Sequence, residues 1–192
     1  NIGYGAFAEM DNLTSVTIGS RVTTIDHEAF YSCGNLRSIT IPANVSKIDY
    51  SAFEECSNLA SVKFASGSKL ATLESGVFKE CANLKSIALP ANLTKVGDSC
   101  FYGCTNLSSV TFGSKVSSIG SSAFRGCLLL KTITLPVNIR SLGNFAFEGC
   151  TSLTGIDIPY GIKTIGNYAF SNCTSLNGNV KIPGTVNSLG YY

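Results

Sequence analysis

Eight cysteines and one histidine are the residues of this chain most able to do chemistry. His27 stands between Asp26 and Glu28, a grouping that could in principle move a proton near neutral pH. Neighbours on an extended segment point to different faces, however. With no second histidine, neither a catalytic triad nor a histidine-based metal site can be assembled, and an exposed loop histidine is expected. Serines are abundant, but none sits in a Gly-x-Ser-x-Gly elbow, and no phosphate loop or dinucleotide fingerprint is present. Asp26, Asp49 and Glu74 recur at equivalent positions and could approach one calcium ion if stacked, although three carboxylates alone make a thin ligand set. No catalytic residue, cofactor or metal is expected.

The cysteines are governed by spacing. Cys33, Cys56, Cys81, Cys104, Cys127, Cys150 and Cys173 follow one another at 23 residues, with a single step of 25. An even count would suit a disulfide framework. Side chains stacked in register point the same way, so the expectation is free, buried thiols acting as small hydrophobes. Zinc is disfavoured because close Cys-x-x-Cys pairs are absent, and only Cys100 and Cys104 fall four apart.

The same period runs through the whole chain. Phe7, Phe30, Phe53, Phe78, Phe101, Phe124, Phe147 and Phe170 form one column, and Leu13, Leu36, Leu59, Leu84, Leu107, Leu130, Leu153 and Leu176 form another. A clean unit reads Leu130-x-x-Ile133-x-Leu135-Pro136-x-x-Ile139-x-x-Leu142-Gly143-x-x-Ala146-Phe147-x-x-Cys150. The long step comes from two extra residues in the loop 65–69, and one further extra residue falls near Asn177-Gly178-Asn179. A unit this short cannot bury its apolar face alone, whereas stacked units bury a continuous ladder.

Within the unit, Leu-x-x-Ile-x-Leu predicts a short strand by its alternation, and Pro or Gly stops it. Ala-Phe-x-x-Cys-x-x-Leu spaces apolar residues as one helical turn would. The expected fold is an α/β right-handed solenoid of about eight 23-residue rungs, one domain over residues 1–192, with a parallel sheet on one face and short strands and helical turns on the other. These motifs resemble leucine-rich repeats. The Leu-Pro stop, the Ile-Gly pair and the Ala-Phe-x-x-Cys string are similar, more narrowly, to the BspA-like subfamily of surface proteins. That resemblance implies an extracellular or cell-surface location and adhesion to host or extracellular-matrix proteins.

Departures from the repeat carry further expectations. The slot after the Ile is Gly3, Gly97, Gly120, Gly143, Gly166 and Gly190, but Asp26, Asp49 and Glu74 in between. If it demands positive φ, Glu74 should distort the chain locally. Val77 and Cys100 widen an alanine slot by about a methyl group. Both ends fall partway through a unit, which suggests a section of a longer protein or ends covered by neighbours.

Binding must use residues that the repeat does not fix. Arg37, Thr40, Lys63, Lys85, Thr111, Lys131 and Thr134 face outward on the expected strands, giving a hydroxyl-rich, mildly basic surface without an aromatic anchor. Tyr4, His27 and Tyr50 share one slot, and Phe145 and Tyr168 share the next, so each set should form an aromatic ridge. Residues 1–80 are net −3 and residues 81–192 net +5, an asymmetry along the long axis. With 44% hydrophobic and 14% charged residues and a net charge of +2, the chain is neither disordered nor suited to nucleic acid. No apolar run of membrane-spanning length occurs. A non-enzymatic protein-interaction module is expected, with a structural spacer or a glycan-binding surface as alternatives.

Overall fold

A computed structural model describes every residue except Asn179 and Tyr192. Each repeat turns through two short strands and a corner, and equal positions of successive repeats lie side by side. The first ladder holds β2 (Ser38–Ile41), β4 (Ser61–Phe64), β6 (Ser86–Ala88), β8 (Ser109–Thr111), β10 (Thr132–Thr134) and β12 (Gly155–Asp157). The second holds β1 (Thr24–Ile25), β3 (Lys47–Ile48), β5 (Thr72–Leu73), β7 (Lys95–Val96), β9 (Ser118–Ile119), β11 (Ser141–Leu142), β13 (Thr164–Ile165) and β14 (Ser188–Leu189). All pairing is parallel, with Ile39 opposite Val62 and Ile25 opposite Ile48.

The short strands expected opposite the sheet are present as this second ladder, corrected only in that they form a sheet of their own. Its strands are two residues long with a single inward side chain, too short to show an alternation in sequence. It is nonetheless the more continuous ladder: β5, β7, β9, β11, β13 and β14 form one six-stranded sheet, whereas the first ladder is hydrogen-bonded as the pairs β2–β4, β6–β8 and β10–β12. The pair β1–β3 stands apart from the six-stranded sheet where the two extra residues of 65–69 intervene.

The expected helical turns are also corrected. Among the described residues the corner contains no helix, because two of its positions adopt left-handed backbone. One is Gly5, Glu28, Ser51, Gly76, Ser99, Ser122, Phe145 and Tyr168; the other is Glu9, Ser32, Glu55, Glu80, Gly103, Gly126, Gly149 and Asn172. A left-handed residue breaks helical progression and turns alternate N–H groups toward the next rung. Glu28 N, Phe30 N and Ser32 N donate to the carbonyls of Tyr50, Ala52 and Glu54 at 3.0, 2.8 and 2.8 Å. The corners are thus a third hydrogen-bonded stack. The chain makes about seven turns, not eight full rungs, since residues 14–17 form no strand and the last repeat contributes β14 alone.

The slot occupied by Gly or by Asp and Glu does not need positive φ, contrary to expectation: none of Asp26, Asp49, Glu74 or Gly143 is left-handed. What it limits is volume. A Cβ on Gly143 would sit 2.4 Å from Ser121 N, and one on Gly97 would sit 2.6 Å from the Glu74 carbonyl carbon.

One contiguous core runs from Ile18 to Cys173. The rings of Phe30, Phe53, Phe78, Phe101, Phe124 and Phe147 are fully buried and stacked at 5.1 to 5.6 Å with planes within 14° of parallel. All eight cysteines are free and buried. Seven of the thiols donate to the carbonyl of a Phe on the preceding rung, as Cys127 does to Phe101 at 3.3 Å and Cys150 to Phe124 at 3.2 Å. The column therefore fills space and links rungs. Burial pushes the thiols of Cys81, Cys100, Cys104, Cys127 and Cys150 well above their ordinary range, and that of Cys173 up to about 11.

Candidate functional site

The first ladder presents Thr40, Lys63, Thr111 and Thr134 outward on its strands, with Arg37, Lys85 and Lys131 one position before β2, β6 and β10; all are exposed. Thr40 and Lys63 are register partners. The surface is polar and shallow, as its residue types require.

Both aromatic ridges are assembled. Tyr4 and His27 stack at 5.4 Å with planes 7° apart, and Tyr50 meets His27 edge-on at 6.3 Å. His27 Nε2 lies 3.2 Å from Glu28 Oε1, so the sequence neighbour does reach it. The neighbouring acids have partners of their own. Asp49 accepts from Lys47 Nζ and from Tyr50 N, while Glu74 accepts from Thr72 Oγ1 at 2.9 Å. Burial disfavours the charged carboxyl of Asp49, but the Lys47 ammonium at 2.6 Å and the Tyr50 N–H outweigh it and hold its pKa below the ordinary value.

The second ridge is built differently. Phe145 and Tyr168 stack at 5.0 Å with planes 5° apart, and both are left-handed, at φ 58° and 55°. Left-handed backbone costs a bulky L-residue roughly 1–2 kcal/mol, of which a ring pair recovers about 0.5–1.5 kcal/mol. The fold imposes that strain, since the same position is left-handed on every rung.

Three features missed by the sequence reading join this ridge. Tyr102, Arg125 and Glu148 occupy one repeat position on consecutive rungs. The Arg125 guanidinium lies 5.8 Å from the Tyr102 ring centre and 5.4 Å from that of Phe145. Its Nε is 2.8 Å from Glu148 Oε2; the angle is too oblique for a hydrogen bond, and that oxygen is buried with no hydrogen-bond partner among the described residues. Beside them, a cavity of about 380 Å³ opens over the bare backbone of Gly103, Gly126 and Gly149, with Leu128 on its wall.

Leu128 is the clearest departure from the repeat. Every other rung carries at least one polar residue there, as in Thr105-Asn106, and the asparagines form a ladder: Asn58, Asn83 and Asn106 each donate to the asparagine one rung back, at 3.4, 3.1 and 3.1 Å. The ladder stops at Leu128-Leu129, which are 42% and 45% exposed. Nothing in the solenoid requires two exposed leucines at this corner. That departure was readable in the sequence by comparing corners instead of core columns.

The geometry gathers stacked rings, an anchored guanidinium and exposed aliphatic carbon at one corner, the residue chemistry of protein contacts. It gathers no nucleophile and base in reach of one another. Among the described residues no group of three potential metal ligands occurs, and no helix is long and apolar enough to cross a membrane.

Comparison with known proteins agrees with the repeat. The family model for the BspA type leucine-rich repeat region matches residues 1–104 and 71–192. The crystal structure of the T. pallidum leucine-rich repeat protein TpLRR is similar at 30% identity and a TM-score of 0.79, over 85% of this chain and 78% of that one. A leucine-rich cell surface protein from Faecalibacterium prausnitzii is similar at 25% identity and a TM-score of 0.60, over 98% of this chain, which spans 62% of that protein. A leucine-rich repeat protein from Bacteroides ovatus, at 22% identity and a TM-score of 0.57, shares the fold. No curated protein matches. With its motif on nearly every rung and the family model covering it from end to end, the chain belongs to the BspA-type leucine-rich repeat family.

Proposed function

We propose that this chain is a non-enzymatic protein-interaction module of a secreted or cell-surface protein and that it serves adhesion to proteins outside the cell, extracellular-matrix components among them. The observation that carries this reading is the corner formed by Tyr102, Arg125, Leu128, Leu129, Phe145 and Tyr168. It supplies the aromatic anchors that the first ladder lacks, with an arginine held between two of them. Tyr4, His27 and Tyr50 are a second, smaller ridge of the same kind. Location outside the cell is supported by the family and by the description of the F. prausnitzii relative as a cell surface protein.

The test restores the repeat at the corner. In Leu128→Thr/Leu129→Asn the polar pair of neighbouring rungs returns, so folding is preserved or improved. Binding of the wild type and this variant to immobilised collagen, laminin and fibronectin should differ at least tenfold for whichever protein is bound, with an unchanged melting temperature. Equal binding by the two would refute the corner as the site. Failure of the wild type to bind any matrix protein would favour a structural spacer, the reading consistent with the chain spanning only 62% of the F. prausnitzii protein.

A further inference from the structure

The charges of the first half are sorted by side of the rung. Every acid from Asp26 to Glu80 lies on the corner segments 26–32, 49–55 and 74–80, and the segments 34–48, 57–73 and 82–97 contain none. Some cations on the acid-free segments are tied down: Lys47 pairs with Asp49, and Lys69 donates to Asn44 Oδ1 at 2.9 Å. Arg37, Lys63 and Lys85, which face out from the first ladder, have neither an ion pair nor a side-chain hydrogen bond among the described residues.

Their arrangement is periodic at twice the rung. The position just before each first-ladder strand reads Arg37, Ala60, Lys85, Ser108, Lys131 and Thr154, a cation on every second rung with a small uncharged residue between. Strands in a sheet lie about 4.8 Å apart, so these cations recur at roughly 10 Å. Between Arg37 and Lys85 the short side chain of Ala60 leaves a cavity of about 300 Å³ walled by Asn58 and Asn83. The asparagine ladder holds those two amides in place, Asn83 donating to Asn58 at 3.1 Å. One step along the chain runs a column of hydroxyls, Ser38, Ser61, Ser86, Ser109 and Thr132. An acid appears on this face only at Asp157, past Lys131.

We infer that the Ala60 notch and the cation line from Arg37 to Lys131 bind a linear acidic polysaccharide through its carboxylate or sulfate groups. Such a polymer repeats its charged sugar once per disaccharide, a spacing of the same order as two rungs, and its hydroxyls suit the serine column. It needs no apolar pocket, and the notch at Ala60 is walled by amides and cations. A protein segment would look for the aromatic anchor that this face does not have. The site is separate from the aromatic corner, so failure of protein binding there leaves it untouched.

Calorimetric titration with a heparin-derived dodecasaccharide tests the inference. Binding is expected to weaken with salt as counterions are displaced from the polyanion. The slope of log Kd against log salt should fall by roughly one unit for each of Arg37→Gln, Lys85→Gln and Lys131→Gln, with affinity dropping about fivefold each time. Ala60→Leu fills the notch without changing charge and should weaken binding as well, while Lys95→Gln and Lys163→Gln, on the second-ladder side, should leave it unchanged. Full affinity in the triple glutamine variant overturns the site. Equally tight binding of poly-glutamate or of a single-stranded DNA of matched charge overturns the polysaccharide as its occupant.

Discussion

The two halves of the solenoid solve the same corner in different ways. On the rungs of Asp26 and Asp49 the slot after the strand carries a carboxylate, and its Oδ1 accepts the next N–H of its own rung, His27 N and Tyr50 N at 2.9 Å each. From Gly97 onward the slot is glycine, and the N–H after it can be satisfied from the rung before. Ser121 N donates to Asp98 Oδ1 and Asn167 N to Asn144 Oδ1, both at 2.8 Å, and Tyr191 N donates to Asn167 Oδ1 at 3.0 Å. Without a Cβ the corners close up until a side-chain acceptor spans the gap between rungs. Identical backbone needs are met within a rung in one half and between rungs in the other, so equivalent substitutions should have unequal effects.

The largest expected effect lies in the shared core, where the halves should not differ. Phe101→Ala removes a fully buried ring and should cost roughly 3–5 kcal/mol in denaturant unfolding, and Phe53→Ala, equally buried in the other half, should cost the same. Gly143→Ala forces a Cβ to 2.4 Å from Ser121 N and should cost about 1–3 kcal/mol. Asp26→Ala keeps the Cβ that its slot already holds and loses only the acceptor of His27 N, so it should cost about 1 kcal/mol. A smaller loss at Gly143 than at Asp26 would remove the distinction between the halves.

A smaller effect is expected from acid. The folded pKa of Asp49 lies below its unfolded value, so its contribution is complete above the unfolded value of about 3.9 and is lost as pH falls through the folded value. Lys47→Gln removes the partner and should flatten the acid limb of the stability curve below about pH 4. An unchanged limb would show that the Tyr50 N–H alone holds the carboxylate. The smallest change is expected at Cys127→Ala, which loses a thiol donor to Phe101 and a small buried volume, at about 1 kcal/mol. Native-state alkylation of the thiols should be negligible and become complete on unfolding.

How much of this was readable follows from the length of each signal. The core columns, the first ladder and the stacked aromatic pairs were visible because a fixed period repeats them many times. The short strands of the second ladder were expected but not their continuity, since two residues such as Lys47–Ile48 cannot display an alternation. The corner was misread as a helical turn because Ala-Phe-x-x-Cys has helical spacing, while the left-handed residues beside it, Ser51 or Phe145, have no residue type in common. Arg125 was overlooked for the same reason. Its column reads Tyr102, Arg125 and Glu148, and only the three together make a site.

The sequence by itself determined the period, the residues that face inward and the family, because each is a property of spacing repeated along the chain. Tertiary structure alone decided that the corner is left-handed instead of helical, why glycine fills the slot after the second strand from Gly97 onward, and that Arg125 meets the rings of Tyr102 and Phe145. Those outcomes depend on contacts between residues about 23 positions apart on adjacent rungs, where distance and direction are set by stacking and leave no mark on any single unit.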